Sequence, residues 1–172
     1  MSTPTLSLAE LNKMDKSSFV SRLGWIYEHS PWVAEKAWEH RPFADLEALH
    51  AAMFAVVLDA PEEKRLALIQ GHPDLAGRVA KLEQLTDASH REQIEAGLDK
   101  LTPDLATELD HRNNAYREKF GFPFVICARL NDVNMILASM AVRLKHDPAG
   151  EVALALEEIS KIARLRLIDI IS

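Results

Sequence analysis

Apolar residues recur at three- and four-residue spacing along nearly the whole chain, and strict alternation is almost absent. That period buries one stripe of each segment against another helix and provides no two-faced strand from which to build a sheet. Pro, Gly and capping residues fall at intervals that read as helix ends. Ser7 caps a helix over 8–14, and a second runs over 16–29 with Phe19, Leu23, Ile26 and Tyr27 on one side. Pro31 suits the first turn of a helix over 31–39. Asp45 caps one that reaches 58, with Leu46, Leu49, Met53, Val56 and Val57 inward. Pro61-Glu62-Glu63 opens the next, its acids at the positive end of the dipole, and it ends near Gly71. Pro73 can begin a further short helix. Ser89-x-x-Glu92 matches a capping box for a helix over 90–98. Thr102-Pro103 starts a long helix to Lys119 that Gly121 ends, Asp132 starts one to Lys145, and Asp147-Pro148 starts the last, to Ile170. With no repeat, linker or break in composition, the expectation is an all-α single-domain bundle of eight to nine helices over residues 1–172.

A chain of 172 residues can bury about two-thirds of its unfolded surface, so it needs no staples. The net charge of -6 comes from interspersed acids and bases. It offers no basic stripe for nucleic acid, and an anionic ligand would need a local positive group. No apolar run approaches the roughly 20 residues that span a bilayer. Residues 1–10 lack a basic segment followed by an apolar one, so a cytoplasmic protein with no membrane partner is expected. The single cysteine, Cys127, has no partner for a disulfide or a metal pair. In the run Phe124-Val125-Ile126-Cys127-Ala128 it reads as a buried, inert thiol rather than a nucleophile. The tryptophans 25, 32 and 38 read as core and interface mass rather than a cofactor box.

Three features call for chemistry. His72 stands at a corner between helical patterns, with its backbone held extended by Pro73. An imidazole there gives or takes a proton near neutral pH. His29 and His146 read instead as helix-end cations. Ser89, Glu92 and Gln93 gather near a helix start, where free N–H groups favour polar or anionic atoms; a capping box also accounts for Ser89 and Glu92. Arg166 lies on the apolar stripe of the last helix, about 20° around the axis from Ile159. A guanidinium there is either paired or snorkelling, or it enters a pocket to hold an anion.

No His-Glu-x-x-His, phosphate loop or nucleophile elbow occurs, so neither a metal nor a nucleotide cofactor is expected. His72-Pro73-Asp74 resembles the tripeptide of J-domain co-chaperones, but the helix before it offers only Lys64 and Arg65 as bases. A helical interaction module stands as an alternative.

Several spaced motifs, in order, resemble the OHCU (2-oxo-4-hydroxy-4-carboxy-5-ureidoimidazoline) decarboxylase family. They are Gly71-His72-Pro73-Asp74-Leu75-Ala76-Gly77-Arg78, Ser89-x-x-Glu92-Gln93 and Asn113-x-x-Tyr116-x-x-Lys119-Phe120-Gly121-Phe122-Pro123-Phe124. Glu28-His29-Ser30-Pro31-Trp32 and Ile162-Ala163-x-x-Arg166 frame them. The resemblance implies an all-α homodimer that releases carbon dioxide from that ureido compound to leave (S)-allantoin, without a cofactor, with a ureide hydrolase as the alternative. It implies His72 as the catalytic residue, with Glu92 beside it. Substrate contacts are implied at Pro73, at Ser89, His90, Arg91, Glu92 and Gln93, at the main chain of Phe124, Val125, Ile126, Cys127 and Ala128, and at Arg166.

Overall fold

The computed structural model describes residues 5–75 and 85–172. Among them are nine α-helices and no strand, as the periodicity requires; one isolated bridge joins Leu6 to Ile171. The chain forms two compact units, Met1–Leu68 with Ser160–Ser172, and Ile69–Ile159.

The first unit holds α1 (Leu8–Lys13), α2 (Lys16–Leu23), α3 (Trp32–Ala37), α4 (Leu46–Leu58), most of α5 (Glu62–Gln70) and the end of α9 (Pro148–Ile170). Ser7 and Glu10 form a reciprocal capping box on α1, and Asp15 and Asp45 cap α2 and α4. Leu11, Phe19, Leu23, Val33, Leu49, Met53, Val57 and Leu167 are all fully buried. Asn12 fastens α1 to the loop before α4, donating to the Phe43 carbonyl and accepting its N–H (2.9 and 2.8 Å).

Two expectations change in this unit. The second helix stops at Leu23 instead of reaching 29; the chain turns, and His29 takes a left-handed φ of 49°. The early stop turns the Trp25 and Ile26 carbonyls toward Arg166. His29 is therefore a turn residue, not a helix-end cation. The tryptophans are not core either. Trp25 is exposed, and Trp32 and Trp38 are half-buried under Lys64 and Arg41. The indole faces attract these cations, and the Trp38 N–H donates to the Met14 carbonyl at 3.0 Å.

The second unit holds α6 (Asp87–Glu95), α7 (Pro103–Phe120), α8 (Val133–Arg143) and most of α9. Thr102 caps α7, and Gly121 ends it at φ 78°, a conformation that favours a residue without a Cβ. Tyr116 gathers the rings of Phe120, Phe122 and Phe124 at centroid distances of 4.5, 5.9 and 5.2 Å.

α6 also starts earlier than expected. Thr86 caps it, accepting the Ser89 N–H at 3.3 Å, so Ser89 lies inside the first turn and is buried. A threonine three residues upstream offered the same oxygen, and the helix took it. The capping box at Ser89 and Glu92 is thus replaced. Pro73 opens no helix within the described residues: 73–75 are non-helical, and 76–78 of the expected motif lie outside them.

Candidate active site

In the second unit, residues 72–75 form the corner after α5. His72 is 7% exposed, and its N–H donates to the Ile69 carbonyl at 3.1 Å. Asp74 and Leu75, two and three residues on, are held from two helices. Gln93 of α6 donates to the Asp74 carbonyl (3.2 Å) and Asn113 of α7 to the Leu75 carbonyl (2.9 Å). Arg117 of α7 pairs with the Asp74 carboxylate at 2.7 Å. Most of these bonds go to main chain, which cannot satisfy its own carbonyls in an extended corner. The result is a fixed backbone beneath a buried imidazole.

α6 presents Ser89 and Gln93 on its buried side, with Glu92 half-buried between them, one turn apart as 3.6-residue geometry dictates. Arg91 points to solvent and His90 lies between the two faces. α6 packs on the turn Ala128–Leu130, and Arg129 pairs with Glu95 at 3.0 Å.

The segment 124–128 is buried throughout. Its main chain is held by charged side chains that sequence reasoning missed. Glu158 of α9 accepts the Cys127 N–H at 2.9 Å, and Arg143 of α8 donates to the Val125 carbonyl at 2.7 Å. Asn131 donates to the Cys127 carbonyl at 2.9 Å. The Cys127 amide, expected to be available for recognition, is therefore committed to a carboxylate. Burial, followed by the charges of Glu158 and Glu92, pushes the Cys127 thiol up to about 11. A neutral, buried thiol agrees with the inert reading.

Arg143 is itself part of a buried ion network. Its Nε lies 2.7 Å from the Glu151 carboxylate, which also accepts from the Tyr116 hydroxyl (2.6 Å) and meets His146 Nδ1 at 2.9 Å. Glu151 is 0% exposed. Burial pushes its carboxyl pKa up, but the bonds from Tyr116, Arg143 and His146 outweigh this and hold it below the ordinary value. His146 thus serves a carboxylate rather than a helix end. A signal for Arg143 existed: it stands seven residues from buried Ile136, as Arg166 does from Ile159.

Arg166 belongs to the first unit and is 2% exposed. Its Nη1 lies 2.9 Å from the equally buried Glu28 carboxylate and donates to the Ile26 carbonyl at 3.2 Å. The paired reading of this guanidinium is met inside its own unit. Arg164 turns to the polar side as the helical wheel requires, and grips Glu47. Among the described residues no three His, Cys, Asp or Glu gather to hold a metal ion.

The family model described as OHCU decarboxylase matches residues 12–168. The 2-oxo-4-hydroxy-4-carboxy-5-ureidoimidazoline decarboxylase of Haloferax volcanii is 43% identical over 95% of each chain. That of Mus musculus is 40% identical, over 96% of this chain and 93% of its own. Among solved structures, an (S)-allantoin synthase superposes with a TM-score of 0.78 at 30% identity, covering 96% of this chain. This chain spans 54% of that synthase.

Proposed function

We propose that this chain, which belongs to the OHCU decarboxylase family, converts 2-oxo-4-hydroxy-4-carboxy-5-ureidoimidazoline to (S)-allantoin and carbon dioxide, a step of urate degradation. The observation that carries the site assignment is the clamped corner. A buried histidine is mounted on a backbone fixed by Gln93, Asn113 and Arg117, which is what stereospecific proton delivery requires.

The carbon–carbon bond to the carboxylate breaks, and its electron pair moves into the adjacent imine-like carbon–nitrogen bond of the substrate. The hydroxyl on the carbon that lost carbon dioxide gives up its proton and becomes the ring carbonyl, the ring nitrogen that took the electron pair gains one, and the neighbouring ureido-bearing carbon receives a proton. His72 donates that proton to one face, which sets the S configuration. Glu92 orients the substrate hydroxyl or His72 and crowds the departing carboxylate. Ser89 and Gln93 hydrogen-bond the ring or ureido group, with His90 and Arg91 beside them and Pro73 walling the corner. The main chain of 124–128 recognises substrate through groups other than the Cys127 amide. The substrate carries its own electron sink, so no cofactor enters.

The deciding experiment generates the unstable substrate in situ from urate and follows allantoin by circular dichroism. Rapid appearance of the S form is expected; racemic product at the spontaneous rate would refute the assignment. Arg166 bears on an anionic or carbonyl group of the substrate in this reading, so Arg166→Lys, which loses the planar fork, raises KM about tenfold. An unchanged KM removes Arg166 from the substrate. A cytoplasmic location belongs to the same reading and is checked by cell fractionation. So does a single domain over 1–172, supported by a family match across both units and checked by one cooperative melt.

A homodimer completes the reading, and the outer face of α8 supports it. Met135 and Val142 are 52% and 58% exposed, with Ala138 and Ala141 between them. The face is self-complementary about a two-fold axis between Ala138 and Ser139. Antiparallel pairing sets Met135 against the partner subunit's Val142, and Asp132 against the partner subunit's Lys145. Met135→Glu with Val142→Glu is expected to sediment as a monomer; an intact dimer would move the interface elsewhere.

A further inference from the structure

Asn113 is an amide on the buried side of a long amphipathic helix, between Leu109 and Tyr116. It is 4% exposed. An amide costs stability in such a place unless both its ends are satisfied. One end is: Nδ2 donates to the Leu75 carbonyl at 2.9 Å. That bond also fixes which way the amide faces, because a carbonyl oxygen accepts only from the nitrogen side. The other end is not. Oδ1 is fully enclosed and has no hydrogen-bond partner among the described residues.

A helix of this composition would tolerate leucine at this position, and leucine would carry no enclosed acceptor. Nδ2 alone accounts for a donor to Leu75 but not for the enclosed oxygen on the same carbon. That oxygen sits beside the corner that carries His72, three residues before Leu75. An acceptor held ready there suits a ligand rich in N–H groups, and a ureido substrate is one.

We propose that Asn113 is a further substrate-binding residue, with Nδ2 holding the His72 corner and Oδ1 accepting an N–H from the ureido substrate. This rests on the decarboxylase reading and adds to it a residue that ties substrate binding to the placement of His72. In the sequence Asn113 stands out only as part of the family motif, with no role.

The two ends of the amide separate by substitution. Asn113→Leu removes both. It is expected to raise KM for substrate generated from urate about tenfold, the loss of one neutral hydrogen bond, and to weaken binding of the probe (S)-allantoin equally. Asn113→Asp keeps an acceptor and loses the donor to Leu75. It is expected to hold KM within about threefold and to lower kcat about tenfold as the corner shifts. Should the leucine variant not fold, Asn113→Ala carries the same expectation.

Wild-type KM and allantoin affinity in a folded leucine variant would overturn the proposal. So would equal rises of KM in the leucine and aspartate variants, which would leave Asn113 a corner clamp alone. Failure of the decarboxylase reading looks different: the wild-type protein itself then neither accelerates the reaction nor binds allantoin, and the proposal falls with it.

Discussion

The His72→Ala protein keeps its helical content and loses the acceleration of decarboxylation. General acid catalysis by a placed imidazole is worth about 10²–10⁴-fold in rate, so the variant falls by at least two orders of magnitude. It also loses the product's handedness, because protonation by solvent has no preferred face. The fold survives for a stated reason. Three clamps hold the corner through Asp74 and Leu75, and none of them uses the imidazole. Stopped-flow circular dichroism on substrate made from urate measures both consequences. A folded His72→Ala protein with near-wild-type rate and S product would end the mechanism.

Arg143→Met is the change with the largest expected effect on stability. It leaves Glu151 charged, fully enclosed and short of its guanidinium, and it strips the Val125 carbonyl of its donor. Breaking one side of a buried pair costs about 3–5 kcal/mol. For a chain of this size that lowers Tm by about 10 °C. Activity falls as well, because Arg143 holds the main chain of 124–128 and lies over the Phe124 ring at 4.3 Å. The double variant Arg143→Met with Glu151→Gln removes the orphaned charge and is expected to recover most of the lost stability. Additive losses in that double-mutant cycle would mean that the two residues do not act as a pair.

The same network sets a pH dependence. The folded Glu151 carboxyl titrates below its ordinary 4.5, so the pair contributes stability above that value. The contribution is lost as pH falls through the folded pKa. Wild-type Tm therefore drops on acidification below about pH 4.5 more steeply than that of the double variant. Parallel curves would remove Glu151 from the acid response.

Much of the fold was readable from local chemistry. Helix starts at Ser7, Asp45, Thr102 and Asp132 follow from short oxygens placed before apolar stripes, and the end of α7 at Gly121 from a residue without a Cβ. The errors have one cause. Where two capping oxygens competed, at Thr86 and Ser89, spacing alone did not choose between them. Where a helix could have continued, as from Leu23 to residue 29, the guanidinium of Arg166 that donates to the turn carbonyls comes from far along the chain.

The site divides in the same way. His72, its proline and the Ser89 to Gln93 face are local patterns, legible one segment at a time. Arg166 was legible too, because a charge on an apolar stripe must be answered by something. Its answer, Glu28, was not, since ion pairs carry no signature of separation along the chain. The clamps from Asn113 and Arg117, the Glu158 carboxylate on the Cys127 amide and the Arg143–Glu151 pair all join residues distant in sequence. By itself, the sequence determined an all-helical chain and the residue types available for proton transfer. Only the tertiary structure decided which distant side chains hold which main-chain groups, because satisfying buried hydrogen bonds is settled by packing rather than by local order.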